Sequence, residues 1–82
     1  MKTVYLEWID ATSHSGNRWV DRERIISASG VSLCKTIGFV LKEDADQITI
    51  ITSIEAKYDS VAGDITIPKC AIRKRRVVSW KK

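Results

Sequence analysis

Residues 31–54 constrain the fold more than any other stretch, because two segments with strand character lie on either side of a charged break. From Val31 to Lys42, large apolar side chains alternate with smaller or polar ones, which is the period-two pattern of a strand with one buried face. The segment 48–54 is rich in β-branched residues, which pack well on a pleated surface. We therefore predict a β-hairpin whose strands are joined at residues 42–47.

Gly38 lies in the middle of the first strand of this hairpin. A glycine inside a strand costs stability, so its presence indicates a sharp bend or a close approach of another backbone. A long, bent strand that pairs with both of its neighbours allows a small sheet to curl towards a barrel.

Three further strands are predicted, one before the hairpin and two after it. The first, 3–10, alternates so that Val4, Leu6 and Trp8 share one face. The last part of the chain contains a short strand at 64–67, a tight turn of 3₁₀ type at 68–71, and a final strand at 72–80.

One short helix is predicted at 22–29, between the first strand and the hairpin. Asp21 is a good N-cap residue, and Gly30 is placed to end the helix in a left-handed conformation. Residues 56–63 have the composition of a polar connection. We expect Tyr5, Trp8 and Trp19 to pack in the core or at its rim rather than to form a stacking platform, because they fall on alternating apolar positions.

These elements predict a single domain over residues 1–82 of the mainly β class. Five short strands and one short helix are typical of a small, strongly bent antiparallel barrel of the Sm-like or SH3-like kind. A chain of 82 residues buries only about 60–65% of its unfolded surface, so one small core has to suffice.

Two short motifs lie within residues 37–72. In the first, Gly38 is followed by an apolar residue two positions later, Val40, and by an aspartate six positions later, Asp44, before the apolar strand Ile48-Thr49-Ile50-Ile51. The second, Ile67-Pro68-Lys69-Cys70-Ala71-Ile72, has a short strand, a tight turn and an apolar residue that opens the last strand. Both motifs resemble those of the Sm-like family, and the second is most similar to that of the family's bacterial RNA chaperone. The resemblance implies a small barrel that binds RNA.

The chain departs from the family pattern at three points. Pro68 stands where the chaperone has an aromatic residue, and Cys70 stands where it has a histidine that helps to hold RNA. The predicted helix 22–29 follows the first strand, whereas the family's helix precedes it. Only Lys69 and the apolar frame therefore carry over from the resemblance.

The order of motifs also resembles small uncharacterised proteins encoded by bacteriophages and prophages. No run approaches the roughly 18–20 apolar residues of a membrane span, and the N-terminus lacks the apolar region of a signal peptide. We expect a cytoplasmic protein without membrane contact, in the host cytoplasm if phage-encoded. Cys34 and Cys70 are expected to be reduced core residues.

Positive charge is concentrated at the C-terminal end. Residues 1–68 hold seven Lys/Arg and ten Asp/Glu, a balance of −3, whereas residues 69–82 hold seven Lys/Arg and no acid, a balance of +7. Such a segment favours contact with nucleic acid through phosphate contacts and stacking by an aromatic residue. The Sm-like resemblance implies RNA rather than DNA as the partner. The predicted binding residues are Lys69, Arg73, Lys74, Arg75, Arg76 and Trp80.

Two other interpretations of the basic segment stay open. Charged side chains on an edge strand commonly prevent edge-to-edge aggregation, so the segment could be only a solvated edge. Alternatively, the protein is an interaction or assembly module that uses its strand edges to bind an acidic protein partner or its own copies. In that case strand 64–67 of one copy would pair with residues 72–78 of the next, giving a weak homo-oligomer.

The candidate catalytic residues of this sequence form no recognisable catalytic motif, and we expect no enzyme activity, cofactor or metal site. His14 is the only histidine and lies in a loop rich in turn residues, where a solvated imidazole is expected. Cys34 has no motif that would orient His14 as its base. Asp44 and Asp46 are placed for turn chemistry rather than for catalysis.

Overall fold

The computed structural model describes residues 1–79, and its main element is a five-stranded antiparallel sheet. The elements in chain order are β1 (Thr3–Asp10), α1 (Arg22–Ala28), β2 (Ser32–Glu43), β3 (Gln47–Ile51), β4 (Ser53–Glu55), β5 (Ser60–Ala62), β6 (Ile65–Pro68), a 3₁₀ turn (Lys69–Ala71) and β7 (Ile72–Val78). The sheet has the order β6-β3-β2-β1-β7, and β4 and β5 form a separate two-stranded ribbon. The edges of the five-stranded sheet are therefore β6 and β7.

The long strand β2 pairs with both of its neighbours, as the sequence predicts. Its first part pairs with β1, from Ser32 opposite Asp10 to Phe39 opposite Thr3, and its last part pairs with β3. Gly38 lies at the change of partner, where a Cβ atom would be 2.7 Å from the carbonyl oxygen of Ile51. The predicted close backbone approach at Gly38 is thus confirmed.

The core is built from alternate residues of β1 and from the isoleucines of β3 and β6. Its fully or almost fully buried members are Val4, Leu6, Trp8, Ile48, Ile50 and Ile67. Trp8 is 8% exposed, and its indole Nε1 donates a hydrogen bond of 2.9 Å to the hydroxyl oxygen of Thr36. The predicted buried face of β1 is confirmed.

Two large apolar side chains of β2, Leu33 and Ile37, lie on the outer face of the sheet, although their alternation with smaller or polar residues predicts a buried face. Val40, further along β2, packs against the core. Leu33 and Ile37 are 53% and 54% exposed. The register explains this result, because Leu6 is opposite Thr36 and Val4 is opposite Gly38, and opposite residues share a face. The large side chains of β1 fill the core, and the small residues of β2 leave room for them.

The ribbon of β4 and β5 was not predicted. The expected strand 48–54 ends at Ile51, and the chain then forms a hairpin in which Ser53 is opposite Ala62. Part of the predicted polar connection 56–63 is therefore a strand. A Cβ atom on Gly63, which has φ of 70°, would overlap the Thr52 side chain, so a glycine suits the return of the ribbon to the sheet.

The helix α1 forms within the predicted range but packs little. None of its residues is buried. Asp21 occupies the N-cap position without a side-chain cap hydrogen bond, and the helix ends at Ser29 in an extended conformation. Gly30 has φ of 158°, so the predicted left-handed cap is wrong. The predicted packing of Trp19 is also wrong, because its side chain is fully exposed.

The helix and the ribbon lie at opposite ends of the sheet. The helix is in the connection that joins Asp10 to Ser32, whereas the ribbon follows Ile51, which is opposite Phe39 at the Thr3 end of β1. The chain measures 53 × 27 × 26 Å, with a radius of gyration of 16.7 Å, against about 12 Å for a compact domain of this length. Within residues 1–79, no helix has the length and apolar character needed to cross a membrane.

Candidate nucleic-acid interface

The basic segment of the sequence lies on the edge strand β7 and on the turn before it. Tyr5 of β1 is opposite Arg76, and Leu6 is opposite Arg75. Because Leu6 faces the core and Tyr5 the outer face, Arg75 and Arg76 project to different sides of the sheet. The sequence predicts this division, but not what each side meets.

On the core side, Glu43 at the end of β2 binds two of the predicted site residues. Its Oε2 atom lies 2.6 Å from Nη1 of Arg75 and 2.8 Å from Nζ of Lys69, and its Oε1 atom accepts a bond of 3.0 Å from Nη2 of Arg75. Hydrogen bonds from Arg75 and then Lys69 lower the pKa of Glu43 from its ordinary 4.5 to about 2. Both cations are thus engaged by a carboxylate.

Arg73 lies at a register shift of the sheet. Glu7 is opposite Lys74 and Trp8 is opposite Ile72, so Arg73 is the extra residue of a β-bulge. Its Nη1 atom donates a hydrogen bond of 3.0 Å to the carbonyl oxygen of Cys70. That acceptor is neutral, so the Arg73 side chain, which is exposed, keeps its full charge available.

On the outer face, the remaining cations surround a tyrosine–glutamate pair on β1. The hydroxyl of Tyr5 donates a hydrogen bond of 2.6 Å to Oε2 of Glu7. Glu7 is opposite Lys74 on one side and Lys35 on the other. Arg76 is beside Tyr5 on β7. Lys35, Lys74 and Arg76 are all exposed.

The pKa shifts agree with this geometry. The hydrogen bond from Tyr5 is the largest cause that lowers the pKa of Glu7, and the charges of Lys74, Lys35 and Arg76 lower it further. The same hydrogen bond raises the pKa of Tyr5. Tyr5 therefore stays a neutral phenol with Glu7 charged at neutral pH, amid three cations.

We call this set the outer-face cluster: Tyr5, Glu7, Lys35, Ile37, Lys74 and Arg76. It holds three cations and one carboxylate around a half-buried tyrosine and an exposed isoleucine. Sequence reasoning identified Lys74 and Arg76 but missed Lys35 and Tyr5. The alternation of β1 is the signal that could have found Tyr5, because it puts Tyr5 and Glu7 on the face opposite the core. The position of Lys35 depends on the register of β2 with β1.

Trp80, the aromatic residue of the predicted site, lies outside the described residues. So do Lys81 and Lys82. Stacking by Trp80 stays a prediction.

The other candidate residues occupy ordinary structural positions. His14 is exposed in its loop, as expected. Both thiols are free: Cys34 is half-buried against the core, whereas Cys70 is exposed, so its predicted burial is wrong. Asp44 performs the predicted turn chemistry, because its Oδ1 accepts hydrogen bonds from the backbone N–H groups of Asp46, at 2.8 Å, and Gln47, at 3.1 Å.

Comparisons with known proteins give no relative for this chain. No protein-family model matches it, and neither the curated proteins nor the solved structures contain a match. The Sm-like resemblance of residues 37–72 and the resemblance to phage proteins therefore stay predictions.

Proposed function

We propose that this protein is a non-enzymatic nucleic-acid-binding module that uses the cations of β7. The observation that carries the proposal is that only some of the cations along this strand are paired with a carboxylate. Glu43 engages Arg75, whereas Arg73, Lys74 and Arg76 are exposed, with Glu7 as the one carboxylate opposite them in the strand register of the described chain. A strand with this surplus of cations attracts a polyanion.

The physical basis of binding is the release of counterions from the phosphates. Each Lys or Arg that contacts a phosphate releases condensed cations, so affinity decreases as salt increases. We assign Arg73, Lys74 and Arg76 to phosphate contacts. We assign Lys69 and Arg75 to holding Glu43, since a phosphate would have to displace that carboxylate before it could reach them. RNA as the preferred partner, and stacking by Trp80, rest on the sequence patterns described above.

We also propose that the sheet curls towards a barrel. The support is the contact of Glu43, at the end of β2, with Lys69 and Arg75. Strands β2 and β7 are not neighbours in the sheet, since β1 lies between them. A direct ion pair between their side chains fits a strongly bent sheet rather than a flat one.

Fluorescence anisotropy with a labelled RNA of about 12 nucleotides tests the proposed function. The variant Arg73→Gln/Lys74→Gln/Arg76→Gln is expected to bind at least about tenfold more weakly than the wild type, since three phosphate contacts are lost. The matched control, Arg18→Gln/Arg22→Gln/Arg24→Gln, removes the same charge around α1 and is expected to bind as the wild type does. Equal loss in both variants, or no binding by the wild type, would contradict the proposal.

A second candidate function is assembly through strand edges. Both β6 and β7 are edges of the sheet, and Val77 on β7 is 59% exposed although it is opposite the buried Val4. A β6 strand from a second copy, or an extended segment of an acidic protein, could pair with β7 and cover Val77. The absorbance ratio at 260 and 280 nm, measured with light scattering on protein purified without nuclease, separates the two candidates. Co-purified nucleic acid favours binding, and a clean oligomer favours assembly.

A further inference from the structure

We propose that the nucleic acid bound by this protein is single-stranded and lies across the outer face of β2, β1 and β7, with one base stacked on Tyr5. The phosphates on either side of that base are bound by Lys35, Lys74 and Arg76. This inference rests on the proposed function and specifies its ligand.

The outer-face cluster extends across three paired strands, β2, β1 and β7. One row across the sheet is Lys35, Glu7 and Lys74, and the next is Ile37, Tyr5 and Arg76. Adjacent strands are about 4.8 Å apart, so Lys35 and Lys74 emerge roughly 10 Å from each other with β1 between them. Lys35 and Lys74 therefore flank Glu7, and Arg76 lies beside Tyr5. Cations thus stand on both sides of the strand that carries the aromatic ring, an arrangement that suits binding of backbone and base together.

The shape of this face favours a single strand over a duplex. A base that stacks on tyrosine needs one face free of a neighbouring base, as in a single strand. A duplex covers both faces of its internal bases and offers only its backbone and its groove edges. The major groove of B-DNA admits a helix or a two-stranded ribbon, whereas the cluster spans three strands. Tyr5 is half-buried in the middle strand, so it can reach a base laid on the sheet and not one inside a groove.

The negative charge of Glu7 would repel phosphate from the centre of the face. The hydroxyl of Tyr5 donates to Oε2 of Glu7 at 2.6 Å, which holds the carboxylate beside the ring. A carboxylate has two oxygens and several lone pairs, so it can also accept from the amino group of a base such as cytosine. The centre of the face thus suits a base, and its two sides suit phosphates.

Anisotropy measurements with a single strand and with the corresponding duplex test this inference at one low salt concentration. We expect the wild type to bind the single strand at least about tenfold more tightly. Lys35→Gln, on a different strand from the basic segment, is expected to weaken single-strand binding about threefold or more, whereas Lys42→Gln, also exposed on β2, should have no effect. Lys35 lies outside the sequence-predicted site, so this substitution separates the two proposals.

Two substitutions at Tyr5 examine the ring and the hydroxyl separately. Tyr5→Leu keeps an apolar side chain but removes stacking, and we expect single-strand affinity to decrease about fivefold or more, in the range of measured base–aromatic stacking. Tyr5→Phe keeps the ring and should stay within about twofold of the wild type, which also controls for the fold. Circular dichroism shows whether each variant is folded.

Each outcome has a defined meaning. Equal or tighter binding of the duplex, or wild-type affinity in both Lys35→Gln and Tyr5→Leu, overturns the single-strand inference and leaves β7 binding in place. Equal loss in Tyr5→Phe and Tyr5→Leu overturns stacking. No binding of either ligand by the wild type overturns both this inference and the proposed function.

Discussion

The guanidinium of Arg75 binds the carboxylate of Glu43 through two parallel contacts, Nη1 to Oε2 at 2.6 Å and Nη2 to Oε1 at 3.0 Å. Bidentate pairs of this kind are stronger and more directional than single charged contacts. The pair joins β7 to the far end of β2, and Lys69 adds a third contact to the same carboxylate. Lys69 and Arg75 of the basic segment therefore hold Glu43, whereas Arg73, Lys74 and Arg76 are exposed.

Glu43→Gln should lower the melting temperature at neutral pH and change the pH dependence of stability. The folded-state pKa of Glu43 is about 2, below its ordinary 4.5, so the carboxylate stabilises the fold above pH 4.5 and this contribution is lost as pH falls towards 2. Thermal melts should show wild type and variant converging over that interval. Asp64→Asn, which removes another exposed carboxylate, is the control and should leave the melt unchanged. A constant difference between wild type and Glu43→Gln at all pH values would contradict the ion pair.

Gly38→Ala should destabilise the protein, because the new methyl group would meet the carbonyl oxygen of Ile51 at 2.7 Å. Relief of this contact requires a shift of the strand backbone. Overpacking of this kind lowers the free energy of unfolding by about 1–3 kcal/mol. Urea denaturation measures the free energy of unfolding. Ser32→Ala, at the exposed start of β2, is the control and should change it little. An equally stable Gly38→Ala variant would mean that β2 and β3 do not approach so closely.

Local patterns were sufficient to predict much of the fold. The alternation of β1 gives its observed bounds, Thr3–Asp10, and its buried face, since both depend on neighbouring residues alone. The 3₁₀ turn Lys69–Ala71 follows from a proline and a change of periodicity. The start of β7 at Ile72 was predicted for the same reason.

The parts that sequence reasoning missed depend on residues far apart in the chain. Which face of β2 is buried depends on the register with β1, where Leu6 meets Thr36. The role of Glu43 depends on Arg75, which is 32 positions away. The outer-face cluster combines residues of β1, β2 and β7. The run of basic residues in the sequence identified only its members on β7.

Ile37→Ala tests the face assignment of β2, with Ile50→Ala on the neighbouring strand β3 as the buried reference. Ile50 is fully buried and Ile37 is 54% exposed. Truncating a buried isoleucine to alanine costs about 2–5 kcal/mol, whereas on the outer face the loss should stay within about 1 kcal/mol, the span of strand propensities. Equal losses in urea denaturation would show that Ile37 belongs to a core.

Val77→Lys tests assembly through β7. If a second copy covers Val77, the wild type should sediment faster at high protein concentration, and faster still as salt screens repulsion between basic strands. The variant should stay monomeric. Val61→Lys, on the separate ribbon and 43% exposed, should behave as the wild type does. A monomeric wild type at low and high salt would contradict self-association.

The salt dependence of RNA affinity tests the central claim most directly. For single strands the slope of log K against log salt is about −0.7 per phosphate contact, so three contacts predict a slope of about −2. Lys74→Gln/Arg76→Gln should reduce the steepness of that slope by about 1.4, while Arg22→Gln/Arg24→Gln should leave it unchanged. A flat wild-type slope, or the same slope in all three proteins, would contradict phosphate binding by β7.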